Sequence, residues 1–485
     1  MSEESVVSVA LTAGPVNSGI VGQSTNETWG YNGTIPGPQI EANVGDTVRV
    51  TLTNNLPIAT TLHWHGVELP ANQDGSTISQ RPVEPGGTYT YEFKVLRAGL
   101  FWYHPHIRTA EAVERGLYGT LLVRDRAEDV ALGLPTTEQV LVLDDILLDN
   151  NNQLVPFPPA DPLEKAVYNH NGRQGNRLLV NGRTVPVFDV ESGVALRWRL
   201  LNAANSRFFR LAVENRNLYQ IGGDQGLLQR PVTQIEPPAP VVGRSDVLYH
   251  VVPDTNGVID LIGRDYTLPG LIMTPGERAD VVFTPIGNVG EIIYINTYDL
   301  QRGDVIAQNN GGVPQLLADP SEGLDPPQRL FGLRITGGNS AASEYRPPSS
   351  LKSIPKIQVD QETTPTLKLV FGHSLPDANG DMVFFARMKD GQGFPFAAQT
   401  GADGLEAVVG GTYIIEVTNL TAGMHNFHLH GFRMQLLSTE YVDTNIPAHN
   451  LTYEVPEVSW QDTIRIPGRP GAGMGASRSI SRRRG

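Results

Sequence analysis

The fold of this chain is decided by three histidine-rich stretches, His63-Trp64-His65-Gly66, His104-Pro105-His106 and His425-Asn426-Phe427-His428-Leu429-His430-Gly431. Together they hold seven of the eleven histidines, and the third lies more than three hundred residues after the second. Side chains at alternate positions of an extended strand point to the same face, about 7 Å apart. We therefore expect these imidazoles to converge on a shared metal cluster that holds more than one ion.

Composition and charge exclude several classes of protein. A chain of 485 residues, 40% of them hydrophobic, is too long for a single core and predicts about three domains. The net charge of −14 argues against nucleic-acid binding, which requires a basic surface. No apolar run is long enough to predict a membrane helix. Residues 1–5 lack the pattern of a secretory leader, so we expect the chain as written to be cytoplasmic or stripped of its leader.

Turn-forming residues and alternating patterns predict an all-β fold. The chain has 51 glycines and 36 prolines, and hydrophobic segments lie between them throughout. Polar and apolar residues alternate at 47–53, 88–93 and 463–466, which is the period of a half-buried strand. We therefore expect many short strands joined by turns.

One strand pattern occurs three times, each copy running from a glycine to an asparagine. The copies are Gly45–Asn54, Gly193–Asn202 and Gly410–Asn419. Histidines follow the first and third copies, whereas Phe208 and Phe209 follow the second. The repeat predicts three related β units, of which the middle one carries no metal ligands.

The three histidine motifs, in this order, resemble those of the multicopper oxidases, a laccase-like family of three cupredoxin domains. The resemblance covers residues 30–467 and includes Leu179-Val180-Asn181-Gly182 and Pro275-Gly276-Glu277-Arg278-Ala279-Asp280 in the middle of the chain. It implies three consecutive Greek-key β-sandwich or barrel domains of the cupredoxin kind, with the third truncated. The expected ranges are 1–127, 128–310 and 311–467.

The resemblance also implies copper as the cofactor and suggests its ligands motif by motif. His63 and His428 resemble the ligands of the mononuclear type 2 copper, and His425 resembles one ligand of the type 1 blue copper. Four residues resemble ligands of the coupled type 3 pair, namely His65, His104, His106 and His430. Asp74 stands where the family often keeps an acid near the oxygen site, and we expect it to orient water or deliver protons.

The chain departs from the family's pattern near its end. The family's last motif, His-Cys-His, supplies the type 1 thiolate and further histidines, and this chain has no cysteine. A blue-copper site needs that thiolate, so the type 1 site is expected to be incomplete. After Pro467 the sequence turns to Gly, Ser, Arg and Pro. We expect residues 468–485 to form a disordered tail, such as a frameshift would produce.

The function implied by the resemblance is one-electron oxidation of phenolic donors coupled to the reduction of O2 to water. The partners would then be a small-molecule electron donor and O2, with no nucleic acid and no membrane. Because the thiolate is missing, we expect the chain as written to be impaired or inactive. The alternatives are a non-catalytic copper-binding protein and a copper-free scaffold, and the seven retained histidines favour copper over the latter.

Several points stay open at this stage. Zinc is the main rival metal, but no cluster of acidic residues stands beside the histidines. The sequence does not specify the electron donor, the oligomeric state or the compartment, and members of the family are often periplasmic or secreted. The remaining histidines are predicted to be surface or hydrogen-bonded side chains, namely His170, His250, His373 and His449.

Overall fold

The chain folds almost entirely into β-strands. The computed structural model describes residues 5–20, 27–234, 270–300, 302, 304–318, 326–360, 362–382, 384–388, 393–395, 408, 410–421, 423–443, 451–454, 458–466 and 473–482. Over these residues it has thirty strands, three short α-helices and one turn of 3-10 helix. In this part of the chain no helix has the length and apolar character needed to cross a bilayer. The predicted all-β fold is confirmed.

The first two sheets carry the first two histidine motifs. Their strands are β1 (Val6–Val16), β2 (Thr28–Tyr31), β3 (Ile40–Asn43), β4 (Thr47–Asn54), β5 (His63–His65), β6 (Thr88–Lys94), β7 (Gly99–His104) and β8 (Gly119–Arg124). The strand orders are β2-β1-β4-β6 and β3-β8-β7-β5. The 3-10 turn Ala71–Gln73 lies between β5 and β6, and α1 (Thr109–Glu114) lies between β7 and β8. Apolar side chains from both sheets, including Leu52, Trp64 and Tyr103, form one buried core.

The middle two sheets hold the largest core in the described residues. Their elements are α2 (Arg126–Ala131), β9 (Thr137–Ile146), α3 (Pro162–Asn171), β10 (Arg177–Val180), β11 (Val187–Ser192), β12 (Leu196–Asn202), β13 (Phe209–Val213), β14 (Leu218–Gly223), β15 (Gly226–Gln234), β16 (Leu271–Met273), β17 (Arg278–Phe283), β18 (Ile292–Thr297), β19 (Val305–Asn310), β20 (Val313–Ala318) and β21 (Gln328–Gly338). The strand orders are β10-β9-β12-β17-β14-β15 and β11-β21-β18-β13-β16, and β19 and β20 form a separate hairpin.

The third set of strands carries the last histidine motif. It comprises β22 (Thr366–His373), β23 (Phe384–Met388), β24 (Gly393–Pro395), β25 (Thr412–Asn419), β26 (His425–His428), β27 (Met434–Asp443), β28 (Leu451–Glu454), β29 (Thr463–Ile466) and β30 (Gly473–Arg482). Seven of these strands form one sheet in the order β24-β23-β22-β25-β30-β27-β28, and β26 pairs with β29. A smaller apolar cluster that includes Val417, Met434 and Ile464 packs between them.

The predicted boundaries between the three units are not tested as domain limits and stay predictions. One strand nevertheless falls on the other side of the boundary expected at residue 310. β21 pairs with β11 and β18 in the middle sheets, although its residues lie in the range expected for the third unit. The reason is packing, because alternating apolar side chains of β21, such as Leu333 and Ile335, are part of the core between the middle sheets.

The asparagine that ends each copy of the repeated strand has one structural role. Asn54, Asn202 and Asn419 end β4, β12 and β25, and all three side chains are buried. In each case Oδ1 accepts a hydrogen bond from the backbone N–H two residues later. The amide group donates to a backbone carbonyl of the following loop, namely that of Ile58, Arg207 or Gly423. Each asparagine therefore fixes the turn after its strand, and in the first and third copies that turn leads to the histidines.

Part of the range predicted to be a disordered tail, Gly473–Arg482, is a strand in the structure. These residues form β30, which lies between β25 and β27 and pairs with both in antiparallel register. Ser477, for example, stands opposite Val417 on one side and Thr439 on the other. Backbone pairing explains the difference, since a strand between two others satisfies N–H and C=O groups on both, whatever its side chains. The amino-acid composition, on which the prediction of disorder was based, carries no information about these backbone hydrogen bonds.

Candidate metal centre

The first two histidine motifs lie on neighbouring strands. β5 and β7 are antiparallel, with His63 opposite His104 and His65 opposite Trp102. Because side chains alternate along a strand, His63 and His65 share a face, and the Trp64 side chain between them points into the core. The rings of His63 and His104 have centroids 5.3 Å apart.

The third motif meets the first two across the molecule. The rings of His63 and His430 are stacked with centroids 3.9 Å apart, and those of His65 and His428 are stacked at 3.6 Å. His106 lies 4.6 Å from His430, again between ring centroids. The structure thus brings together six of the seven predicted histidines, namely His63, His65, His104, His106, His428 and His430.

Hydrogen bonds to backbone carbonyls fix which nitrogen of several rings can bind a metal. Nδ1 of His63 lies 2.8 Å from the carbonyl oxygen of Asp74, and Nδ1 of His104 lies 3.0 Å from that of Pro105. Nδ1 of His428 lies 2.9 Å from the carbonyl oxygen of Asp462. A carbonyl only accepts, so Nδ1 carries the proton in each ring and Nε2 keeps its lone pair.

Those lone pairs provide a test of whether a metal fits. Nε2 of His63, His104 and His428 is buried without a hydrogen-bond partner among the described residues. A buried polar atom left unpaired costs about 1–3 kcal/mol, so three of them in one cluster need an explanation. The possible ligand atoms of His63, His428 and His430 all lie within 4.8 Å of one another, as do those of His63, His65 and His104. Imidazole nitrogens suit copper, and the cluster therefore fits it.

Burial keeps four of the clustered imidazoles neutral. It lowers the pKa of His63 to about 4 and that of His106 to about 3. Burial also holds the pKa of His65 and of His104 well below the usual value of a histidine. Only the neutral ring offers a lone pair, so these four rings present ligands rather than positive charges at neutral pH.

Asp74 contacts two of the clustered histidines. It follows the 3-10 turn, and its carboxylate lies 3.2 Å from Nδ1 of His63 and 2.9 Å from Nδ1 of His430. Burial raises the pKa of Asp74, but hydrogen bonds from His430 and His63 outweigh it and leave the pKa below the usual range. The carboxylate is therefore ionised and orients both rings. Its catalytic role stays a prediction.

His425 lies apart from the six. It is three residues from His428 along β26, and this odd spacing turns its side chain to the other face of the strand. Nε2 of His425 is 2.6 Å from the hydroxyl of Thr421. The ring lines a cavity of about 390 Å³ together with Phe371 and Arg302. The chain has no cysteine to join it, and the type 1 copper site is incomplete.

Two histidines near His425 are closer to each other than the sequence indicates. His170 on α3 and His373 at the end of β22 are each hydrogen-bonded, as predicted. Their ring centroids, however, lie only 5.1 Å apart. Their positions, more than two hundred residues apart in the chain, gave no signal of this pairing. His250 and His449 lie outside the described residues.

Sequence reasoning also missed a buried charged group beside the cluster. Asp462 contacts both His65 and His428, and its carboxylate binds Arg278 of the middle sheets. Arg278 occurs in the stretch Pro275–Asp280, which resembles the family, and Asp462 lies within the range that the resemblance covers. A short motif, however, does not show which distant side chain it meets.

Comparison with known proteins identifies the family. Two family models described as multicopper oxidase match residues 13–128 and 374–473. The chain is 30% identical over 308 residues to Multicopper oxidase MmcO of Mycobacterium tuberculosis, covering 58% of this chain and 59% of that protein. It is 26% identical over 485 residues to Laccase of Bacillus subtilis, covering 90% and 82%. It is also 36% identical over 369 residues to Cell division protein FtsP of Sodalis glossinidius, covering 73% and 64%.

A solved structure supports the same conclusion for the fold. The multi-copper oxidase from Pediococcus acidilactici superposes with a TM-score of 0.70 at 26% identity, covering 99% of this chain and 82% of that one. The chain thus spans less than two thirds of MmcO and of FtsP, but nearly all of its length shares the fold of a solved relative. With its six clustered imidazoles and cupredoxin-like sheets, the chain belongs to the multicopper oxidase family, whose cofactor is copper.

Proposed function

We propose that this chain is a laccase-like oxidoreductase whose reaction couples one-electron oxidation of phenolic donors to the reduction of O2 to water. A single observation carries the proposal. Six imidazoles from both ends of the chain meet, and three of them have a buried Nε2 without a hydrogen-bond partner among the described residues. Copper bound there would supply one-electron redox chemistry. The similarity to Laccase of Bacillus subtilis supports the laccase-like donor range.

The chain's own residues hold and orient this site. We propose His63 and His428 as ligands of a mononuclear copper, and His65, His104, His106 and His430 as ligands of a coupled pair. Asp74 keeps the rings of His63 and His430 in place through Nδ1. Because its carboxylate is ionised, it can accept further hydrogen bonds, and we propose that it orients water near the oxygen site.

The missing thiolate limits what this chain does. Electron transfer into such a cluster depends on a sulfur-ligated copper, and His425 has no cysteine to complete that site. We therefore propose that the chain holds copper at the six-histidine cluster and that its turnover as an oxidase is impaired. Its partners would be O2 and a small-molecule donor.

Copper reconstitution tests the proposal. The chain loaded with Cu(II) and passed over a desalting column should retain copper by elemental analysis. It should show the electron paramagnetic resonance of a copper with nitrogen ligands and no intense blue absorption. His428→Ala should lose copper, whereas His373→Ala, which alters a ring outside the cluster, should retain it. Copper-free protein after loading, or equal retention by both variants, would falsify the copper cluster.

A second candidate is a copper-binding protein without oxidase activity. It is favoured by the absence of cysteine and by the 36% identity to a relative named Cell division protein FtsP. Oxygen uptake separates the two. A substituted phenol that stimulates O2 consumption by the copper-loaded chain, but not by His428→Ala, would favour the oxidase. Retained copper without any uptake would favour the binding protein.

A further inference from the structure

Asp462 lies where three parts of the molecule meet. It precedes β29, and its side chain is completely buried. Its Oδ1 is 3.2 Å from Nε2 of His65, which belongs to the first sheets. Its backbone carbonyl oxygen is 2.9 Å from Nδ1 of His428 on β26. One residue therefore contacts both rings of the stacked pair, His65 on β5 and His428 on β26.

These two contacts place the ring proton on different nitrogens, Nε2 in His65 and Nδ1 in His428. Carboxylate and carbonyl oxygens only accept hydrogen bonds, so His65 donates from Nε2 and His428 donates from Nδ1. A neutral ring has one N–H, which leaves Nδ1 of His65 and Nε2 of His428 with lone pairs. The Thr463 hydroxyl supports this arrangement, because it lies 3.0 Å from Asp462 Oδ1 and 3.1 Å from Nε2 of His65. It donates to the first and accepts from the second.

Arg278 of β17 holds the Asp462 carboxylate in place. Its guanidinium donates 2.8 Å to Oδ1 and makes a second, shorter bond to Oδ2. The remaining donors are satisfied by the carbonyls of Leu100, Gly276 and Asp224. Both side chains are fully buried, so this pair of parallel hydrogen bonds, the Arg278 fork, holds the Asp462 carboxylate in a single orientation.

Two neighbours complete the support. The Asp224 carboxylate accepts from the backbone N–H groups of Asp462 and Thr463, at 3.2 and 3.0 Å. A Cβ at Gly66, the glycine that follows His65, would lie 2.5 Å from the Arg278 guanidinium and 2.7 Å from Asp462 Oδ2. Only glycine allows the strand that bears His65 to approach this ion pair.

We propose that Asp462, clamped by Arg278, is a positioning residue that directs Nδ1 of His65 and Nε2 of His428 toward the metal. The middle sheets offer none of the clustered histidines, yet through Arg278 they would set the orientation of rings from both ends of the chain. The inference rests on the proposed copper cluster. Partners of metal-binding histidines of this kind typically change metal affinity about 10- to 100-fold when altered.

The variant that tests this is Asp462→Asn. The amide keeps the size of the side chain but has a single acceptor oxygen, so it cannot serve both His65 and the Arg278 fork. A matched control exists on β17, the strand that bears Arg278, since Asp280 forms a buried two-pronged ion pair with Arg197 at 3.0 and 2.7 Å. Asp280→Asn perturbs an equivalent pair, and none of the clustered histidines contacts it in the described residues.

Copper affinity and ring tautomers are the readouts. Competition with a chelator should show Cu(II) affinity about 10- to 100-fold lower in Asp462→Asn and unchanged in Asp280→Asn. Arg278→Lys keeps the charge without the fork and should weaken binding as well. In copper-free protein labelled with nitrogen-15 histidine, magnetic resonance should show His65 protonated at Nε2 and His428 at Nδ1.

The outcomes separate the two proposals. Copper binding by Asp462→Asn equal to the unaltered chain, or an equal loss in Asp280→Asn, would overturn the positioning role. So would His65 protonated at Nδ1 in the unaltered chain, a measurement that needs no variant to fold. An unaltered chain that binds no copper but shows the expected tautomers would instead remove the proposed function and leave the orientation by Asp462 standing.

Discussion

At the residue scale, several imidazoles of the cluster are neutral because they are buried, and this burial lowers the stability of the folded chain in acid. The folded chain holds His63 with a pKa of about 4, against roughly 6.5 for an unfolded histidine. His106, with a pKa of about 3, and His425, with a pKa of about 4, behave alike. Below about pH 6.5 the unfolded chain takes up protons that the folded chain refuses, so acid favours unfolding.

The stability of the copper-free chain should therefore fall between about pH 6.5 and pH 4. Each such imidazole contributes up to about 3 kcal/mol, since one pKa unit corresponds to about 1.4 kcal/mol. Urea midpoints at pH 7.5 and 5.0 measure the effect.

Glu114 acts in the opposite sense, because burial raises its pKa to about 7 and the folded chain therefore binds its proton more tightly than the unfolded chain does. Glu114→Gln should therefore steepen the decline, and a midpoint that rises in acid would contradict the prediction.

At the scale of single elements, the repeated asparagines explain why three strands share one pattern. Each buried amide replaces the backbone partners that the turn after its strand lacks. The apolar alternation makes the strand, and the asparagine fixes where the chain goes next. What the three copies of the repeat share is therefore a turn and not a metal ligand.

Asn54→Ala, Asn202→Ala and Asn419→Ala should each lower the free energy of unfolding by about 2–4 kcal/mol, because each leaves buried backbone groups unpaired. Urea unfolding measures the loss. Asn54 and Asn419 precede the histidine strands, so their variants should also weaken copper retention, whereas Asn202→Ala should not. Equal copper loss in all three would show that the effect comes from general destabilisation.

The tail strand makes a second prediction at this scale. β30 is flanked by β25 and β27, and proline in such a strand removes a ladder hydrogen bond. Ser477→Pro should therefore destabilise the chain by about 3 kcal/mol or more and promote aggregation through the opened edges. Ser477→Ala keeps the backbone N–H and serves as the control. Identical unfolding midpoints and light scattering for the two variants would mean that β30 contributes no pairing energy.

At the scale of the whole molecule, metal binding and folding are linked. The clustered rings come from β5 and β7 at one end of the chain and from the segment that begins with β26 at the other. The unfolded chain cannot hold them together, so a metal bound only by the folded state stabilises it.

Copper should accordingly raise the thermal midpoint of the chain, and a chelator should reverse the rise. The shift should grow with the free copper concentration, by about 1.4 kcal/mol in stability for each tenfold excess over the dissociation constant. His428→Ala should show a much smaller shift under the same conditions. A midpoint that is insensitive to copper in the unaltered chain would place the metal outside the folded core.

The sequence by itself determined the all-β class, the three histidine motifs, their resemblance to one family and the absence of a thiolate. These features are local or compositional, so short stretches such as His63–Gly66 contain them completely. The meeting of the six histidines was expected from side-chain alternation and from the family resemblance, and their individual copper assignments stay predictions.

Only the tertiary structure decided which nitrogen keeps its lone pair in His63, His65, His104 and His428. The same holds for the ion pair of Asp462 with Arg278, the contact of His170 with His373 and the place of β30 in its sheet. Each of these depends on side chains or backbone groups that are distant in sequence and adjacent in space. A hydrogen bond or a strand pair forms only at contact distance, and no local pattern specifies its partner.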